Sequence, residues 1–559
     1  LQPLEKIHFY SEGINSSEPK GSLQEIKSYS IIGFLILIIS VLNFLLLNTG
    51  ITKQRFKELA VRKVNGLSQK GMLKMFLYES LIISTTSTLL AFVGMYFIIP
   101  FFNKYTNSAL EFNWIWENNY VLYVLLVVFM ISLLSGFYFY NYINKTNNIT
   151  ILTHKNSTKI DNFFMGDSAV IVQLIIISVM ITFSLGYYKQ LNFMLNSDKG
   201  FDSNNLLVLE TYGKSVDALK NEIQTYPYIE SVTRGELLSI YSPRTMVSQT
   251  ITTEEGSTVA FPIEVMSVDY DYIPTYKIKL LQGRNFSKEF SLDAQQRNII
   301  INETARKILN LDDPIGEFHI AGNIIGVIED LKFDNFHNKV KPLFFQMLPE
   351  EDISKNKSPV GNERDQLIIR YAPGQKEIAV EMMEKLLKKY NLNYFPDWNE
   401  LWKNREKYQS YVVFNPDFND NLMNQMYLKE NKLKMLVLSL TLIAVFLAIF
   451  GLTGMSLFKA SRKTKEIGIR KVNGANTKEI LLLLNKSFIK WSIIAFIVAI
   501  PFSYYALNRW LEGFAYKTSI GINIYVIGLI ITVITVLLVV SLQSYRASRA
   551  NPIKSLKSE

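Results

Sequence analysis

Cysteine is absent from all 559 residues, so neither a disulfide framework nor thiolate chemistry is open to this chain. Histidine is nearly as scarce: His8, His154, His319 and His337 lie far apart, with no i, i+4 pair of the kind that holds zinc on a helix. The nucleotide-binding phosphate loop is missing too. Gly66 and Gly71 have its glycine spacing, but Met72 follows where a lysine is required. Neither G-x-S-x-G nor H-E-x-x-H occurs. Nucleophilic, metal-assisted and nucleotide-hydrolysing chemistry are therefore left without a carrier. The chain is expected not to be an enzyme and to bind no metal or cofactor directly.

What the sequence does have is apolar residues, 48% of the total, gathered into long runs. Crossing the roughly 30 Å of bilayer hydrocarbon takes about 20 helical residues. Candidate spans are 29–51, 75–102, 120–142, 168–188, 434–458, 487–507 and 524–545, with Pro100 and Pro501 near the outer ends of two of them. The formal charge of +10 is concentrated beside these spans. Lys53, Arg55, Lys57, Arg62, Lys63 and Lys70 fill one loop; Lys459, Arg462, Lys463, Lys465, Arg470, Lys471 and Lys478 fill another; Arg546, Arg549, Lys554 and Lys557 lie in the tail. The positive-inside rule accounts for this pattern without a nucleic-acid partner. With the basic loops inside, residues 189–432 form one large outer domain, and each remaining segment alternates sides without contradiction.

One basic loop repeats the other. Glu58-Leu-Ala-Val-Arg-Lys-Val-Asn-Gly66 returns as Glu466-Ile-Gly-Ile-Arg-Lys-Val-Asn-Gly474, and the three differing positions exchange one small or aliphatic residue for another. Shifting residues 29–152 by about 405 to 408 lays them over 434–556: span, basic loop, span, short outer loop, span, basic tail. Glu58 to Arg62 and Glu466 to Arg470 are i, i+4 pairs in the favourable order. Leu59, Val61 and Val64, with Ile467, Ile469 and Val472, are expected to form an apolar flank. Asn-Gly supplies a left-handed helix stop, and Ser68, or Asn476 with Glu479, is placed to cap the next helix. Two readings stay open. An amphipathic helix can lie on anionic lipid of the inner leaflet, or a protein with two equivalent grooves can grip both copies. Lipid adhesion does not by itself demand the same Glu, Arg, Lys, Val, Asn and Gly twice.

In the outer domain, 206–209, 298–301 and 323–328 are of strand length and composition. Residues 302–309 are expected to be a short helix capped by Asn302. Residues 375–390 are expected to be another helix, with Ile378, Met382, Leu386 and Leu387 on one stripe. Turns are expected at 282–285 and 313–316. Residues 418–458 contain no proline and read as one long helix from stalk into membrane. Within the spans, Asn43 and Gln173 are expected to make interhelical hydrogen bonds.

E-[LI]-[AG]-[VI]-R-K-V-N-G after a span resembles the signature of FtsX-like, MacB-type permeases of ABC transporters. Leu281-Gln-Gly-Arg-Asn-Phe-Ser287, Ile299-Ile-Ile-Asn-Glu-Thr-Ala305, Asp313-Pro-Ile-Gly316 and Ile325-Gly-Val-Ile-Glu-Asp330 resemble the family's periplasmic core domain. Double-length members of the Bacteroidetes type share this plan, and Leu1–Ser11 looks like the end of a first such domain, which implies an N-terminally truncated chain. The resemblance implies an α-helical polytopic membrane protein with a mixed α/β extracytoplasmic MacB-type core domain. Seven spans are present and eight are expected in full length.

The implied organisation begins with 1–28 as the end of a first outer domain, 29–152 as a first FtsX-like unit and 153–167 as a cytoplasmic linker. A span at 168–188, the core domain and stalk at 189–432, and a second unit and tail at 433–559 follow. It further implies mechanotransmission: ATP used by a MacB/LolD-type ATPase dimer in the cytoplasm drives export or extraction of a substrate outside the inner membrane. The ATPase-coupling residues would be Glu58, Arg62, Lys63, Val64, Asn65 and Gly66, and Glu466, Arg470, Lys471, Val472, Asn473 and Gly474. Membrane lipids are implied partners, with room for a periplasmic adaptor and an outer-membrane channel. Alternatives are a regulator that relays ATPase motion to an outer hydrolase and an uncoupled membrane sensor or scaffold.

Overall fold

A computed structural model describes residues 23–54, 56–106, 109–117, 119–144, 165–212, 217–238, 245–252, 258–290, 293, 298–319, 322–333, 336–347, 364–392, 394–395, 411–414, 416–417 and 428–548. These fall into two compact units. One comprises 1–189, 432–510 and 519–559; the other comprises 190–431 and 511–518.

The first unit is helical. Its first half holds α1 (Leu23–Gln54), α2 (Phe56–Val64), α3 (Gln69–Thr106), α4 (Trp114–Glu117) and α5 (Tyr120–Asn144), followed by α6 (Met165–Asn196). Among the described residues seven helices are long and apolar enough to cross a membrane. The spans expected at 75–102 and 487–507 are parts of longer helices, because the polar turns leading into them are helical as well. Small side chains set the close contacts. A Cβ on Gly136 of α5 would come within 2.5 Å of Leu77 in α3, and the Ser84 and Ser132 hydroxyls meet at 2.7 Å. In lipid, where apolar burial does not separate helix from solvent, close packing and such polar contacts hold helices together.

The second unit begins with β1 (Leu206–Tyr212), α7 (Asp217–Ile223), β2 (Ile229–Arg234), β3 (Thr245–Thr252) and β4 (Thr258–Val268). After α8 (Tyr272–Thr275) come β5 (Leu280–Gly283), β6 (Ile299–Asn302), α9 (Glu303–Ile308), β7 (Phe318–His319), β8 (Gly322–Ile328) and β9 (Leu343–Met347). Then follow β10 (Arg364–Tyr371), α10 (Lys376–Lys389), β11 (Tyr394–Phe395) and β12 (Tyr411–Phe414). One sheet runs β11-β12-β1-β10-β2; the other runs β3-β4-β9-β6-β8-β5, with β7 paired to β8.

The inner strands are covered on both faces, which is why β1, β6 and β8 contain near-continuous apolar runs. In β1, Leu206 and Val208 point into a core shared with Met266, Ile300, Ile328 and Phe345 of the second sheet, while Leu207 and Leu209 point the other way onto α7 and α10. Ile299, Ile301 and Phe344 meet Ala305 of α9 on the far side. The buried side of α10 differs from the expected stripe. Ala379 and Met383 join Met382, Leu386 and Leu387, and Ile378 is exposed.

The motif residues of this domain are tied into its frame. Arg284 donates two bonds of 2.7 Å to Asp293, whose side chain is fully buried and also accepts from Asn298 at 2.7 Å. Asn302 caps α9 by accepting from Ala305, and its amide donates to Asp330. Gly283 (φ +75°) admits no side chain, because a Cβ would stand 2.2 Å from the Ile325 carbonyl. Arg370 of β10 is 1% exposed and bonds Asp202, Asn204 and Thr275. Residues 511–518 fasten to the domain where Ala515 and Tyr516 donate to the Phe336 carbonyl and the His337 ring stacks on Phe514 at 4.0 Å.

The chain then returns through α11 (Leu428–Arg462), α12 (Thr464–Val472), α13 (Thr477–Leu511) and α14 (Ile522–Ser548). The long helix expected from 418 is continuous over 428–462, and 418–427 lie outside the described residues. In the helical unit, α6 is the most enclosed span: 61% of its apolar window is buried, against none for α3. Val170 and Leu174 pack with residues of α11, α13 and α14, and Ile177 and Met180 pack with Ile39 of α1. As expected, Asn43 donates to the Leu447 carbonyl at 2.6 Å, and Gln173 donates to the Asn43 carboxamide at 3.1 Å.

Candidate docking site

The repeated motif folds the same way twice. α2 and α12 are nine-residue helices, each placed between a span-length helix and the next. Each begins with a glutamate in its first turn and ends with Arg-Lys in its last, the order the helix dipole favours. Arg62 meets Glu58 at 2.7 Å and Arg470 meets Glu466 at 3.0 Å, with both arginines 52% exposed. Pairs this open add only about 0.2–0.5 kcal/mol to helix stability, so fold maintenance is a weak reason to have both.

The stops also coincide. Gly66 (φ +95°) donates to the Lys63 carbonyl and Leu67 to that of Arg62; Gly474 (φ +89°) donates to Lys471 and Ala475 to Arg470. This paired backbone closure requires a left-handed residue after the last helical one, which glycine adopts without a Cβ penalty. Ser68 then accepts from the Gly71 amide at 3.1 Å to start α3, while the Asn476 carbonyl accepts from Glu479 and Ile480 to start α13.

One apolar residue anchors each helix to the one after it. Leu59 is 3% exposed and packs on Met72 and Phe76; Ile467, at the same place in its copy, is 5% exposed and packs on Ile480 and Leu484. The expected apolar flank is narrower than its sequence suggests. Val61, Ile469 and Val472 are exposed, because α2 and α12 touch a neighbour along one edge only. The side chain of Val64 lies outside the described residues. Each element thus presents an open face that mixes aliphatic side chains with an arginine, and Lys63 and Lys471 are half-buried beside it. Asn65, Gly66, Asn473 and Gly474 are exposed at the turn. Such a face suits a protein groove: apolar contact, one bidentate donor and a fixed turn.

A polar lock closes the end of α11 in the second copy. Lys459, at the inner end of α11, lies 3.4 Å from the centre of the Trp491 ring and 3.4 Å from Asp167 of α6. Among the described residues no group of three or more His, Asp or Glu side chains is placed to hold a metal.

A residue the sequence reading passed over is Gly451. It stands in α11 where Asn43 stands in α1, and the two equivalent positions face each other. A Cβ on Gly451 would lie 2.2 Å from the Asn43 carboxamide oxygen and 2.6 Å from that of Gln173. The signal was present in the repeat itself, since the shift that superposes the two motifs places Asn43 on Gly451.

The family model described as FtsX-like permease C-terminal matches residues 30–147 and again 438–552. No curated protein matches. Among solved structures, the chain is similar to the periplasmic region of MacB from Actinobacillus actinomycetemcomitans, at 16% identity, over 41% of this chain and 97% of that one, with a TM-score of 0.26. It is similar also to a domain of a putative permease protein from Porphyromonas gingivalis, at 16% identity, 39% and 92% coverage and a TM-score of 0.25. A third is the extracellular domain of the noncanonic ABC-type transporter YknZ from Gram-positive bacteria, at 12% identity, 31% and 88% coverage and a TM-score of 0.21.

Proposed function

We propose, from a family model that matches this chain twice, that it carries two FtsX-like permease domains and is the membrane subunit of an ABC transporter of the mechanotransmission type. α2 and α12 are its two coupling helices, each seated on one subunit of a separate MacB/LolD-type ATPase dimer on the cytoplasmic side of the bacterial inner membrane. ATP is bound and used by that partner. Its closure draws the two helices together, and the spans carry the displacement to the outer domain, which acts on a substrate outside the membrane. A periplasmic adaptor and an outer-membrane channel are compatible with this arrangement.

The observation that carries the reading is the sameness of the two elements: length, ion pair, glycine stop and anchoring residue agree between copies. A partner with two equal grooves accounts for that agreement, whereas lipid adhesion asks only for net charge and amphipathicity. The test is co-purification from membranes. The wild-type chain is expected to bring down an ABC ATPase, and the double variant Arg62→Glu/Arg470→Glu, still inserted and folded, to lose it. An ATPase recovered equally with both, or with neither, refutes the coupling assignment.

A further inference from the structure

We propose that the outer domain holds the phosphate group of an anionic lipid in a recess beside residues 511–518. The recess is a shallow depression open to solvent, with Leu331, Phe333 and Phe336 beneath it. Lys332, Lys339 and Lys341 line it together with Tyr516. Among the described lining residues the one acid, Glu264, is buried and already paired with Lys341 at 2.8 Å, which leaves Lys332 and Lys339 in excess. Lys332 is oriented by a 3.0 Å bond to the Asp198 carbonyl and lies 5.5 Å from the centre of the Tyr516 ring. Lys339 is exposed at the rim.

The location selects the ligand. Tyr516 belongs to the short connection between α13, which ends at Leu511, and α14, which begins at Ile522. Even fully extended, the five or six residues on either side reach no more than about 20 Å, so the recess is tethered near the membrane surface. Phosphate is the anion a bilayer presents there at high local concentration, and ammonium groups bind it through charge-assisted hydrogen bonds. Basic clusters beside spans attract anionic headgroups in the same way. This site is separate from the coupling helices and does not depend on the function proposed for them.

The experiment places the full chain in phosphatidylcholine nanodiscs that contain a minor fraction of photo-crosslinkable phosphatidylglycerol, and maps labelled peptides by mass spectrometry. Labelling is expected within 331–341 or 511–518. It should fall about tenfold in Lys332→Gln/Lys339→Gln, while labelling of the spans is unchanged. Lys339→Gln alone alters only an exposed side chain; it is expected to give a partial fall, so a folding defect in the double variant leaves the test intact. Equal labelling of these peptides in wild type and both variants overturns the proposal. So does complete displacement by millimolar inorganic phosphate, which would make the recess an anion site only.

Discussion

At Asp293 one side chain collects Arg284, Asn298 and the Ser287 amide around a carboxylate with no exposed surface. Burial alone would push its pKa up, but these hydrogen bonds and the guanidinium charge outweigh it and hold the carboxyl below its ordinary 3.8. A carboxylate depressed in the folded state contributes stability above its unfolded pKa and loses it as pH falls through the folded value. Hydrogen-exchange protection of 280–302 is therefore expected to weaken as pH falls from about 5 to below the ordinary carboxylate range. Asp293→Asn should flatten that dependence and cost about 2 kcal/mol at neutral pH, less than a fully buried pair because Arg284 is partly exposed. No pH dependence in the wild type would refute the assignment. The sequence led us to expect a turn at 282–285, but Gln282 and Gly283 end β5 instead, and the positive φ of Gly283 serves its close approach to the Ile325 carbonyl. The sequence did not show which carboxylate Arg284 would meet, because a loop, not a repeat period, sets that pairing. Ile378 went astray for a related reason: helical spacing permitted two adjacent stripes on α10, and only the sheet beneath decided between them.

Elements differ in how far their sequence announces them. The spans were legible because bilayer thickness demands long apolar runs whatever they pack against. β6 and β8 were legible as short aliphatic stretches. β3 and β4 were not, since Thr245–Thr252 and Thr258–Val268 mix hydroxyl, amide and apolar residues, and their identity rests on pairing with each other and of β4 with β9. Helix crossing was half legible: Asn43 and Gln173 announced polar contacts by their residue type, whereas Gly451 could be found only through the repeat that aligns it with Asn43. The element-scale prediction lies there. Gly451→Ala puts a methyl where Asn43 and Gln173 already stand, and should lower resistance to detergent unfolding by about 1–3 kcal/mol. Combining it with Asn43→Ala restores room, so the double variant is expected to be more stable than Gly451→Ala alone. If it is less stable, the close approach of α1 to α11 is misassigned.

For the whole molecule, apolar length alone located the seven span-capable helices that stand among the described residues. The strand order of the two sheets was beyond reach, because β10 sits between β1 and β2 after a chain excursion that no local pattern records. The repeated element was the most legible feature, since the same motif forms the same nine-residue helix and glycine stop in both copies. Its prediction concerns equality. Arg62→Glu and Arg470→Glu made singly are expected to reduce ATPase recovery to a similar degree, and together to abolish it. A large difference between the singles would mean that the Lys459 lock of the second copy sets the grip of its side. The meeting of Asn43 with Gly451 has a consequence for ancestry. Two identical subunits related by a dyad must bring the same residue to their axis, amide against amide or hydrogen against hydrogen. Fusing the halves into one polypeptide lifts that restriction, so a knob and its socket could diverge across the centre of the membrane.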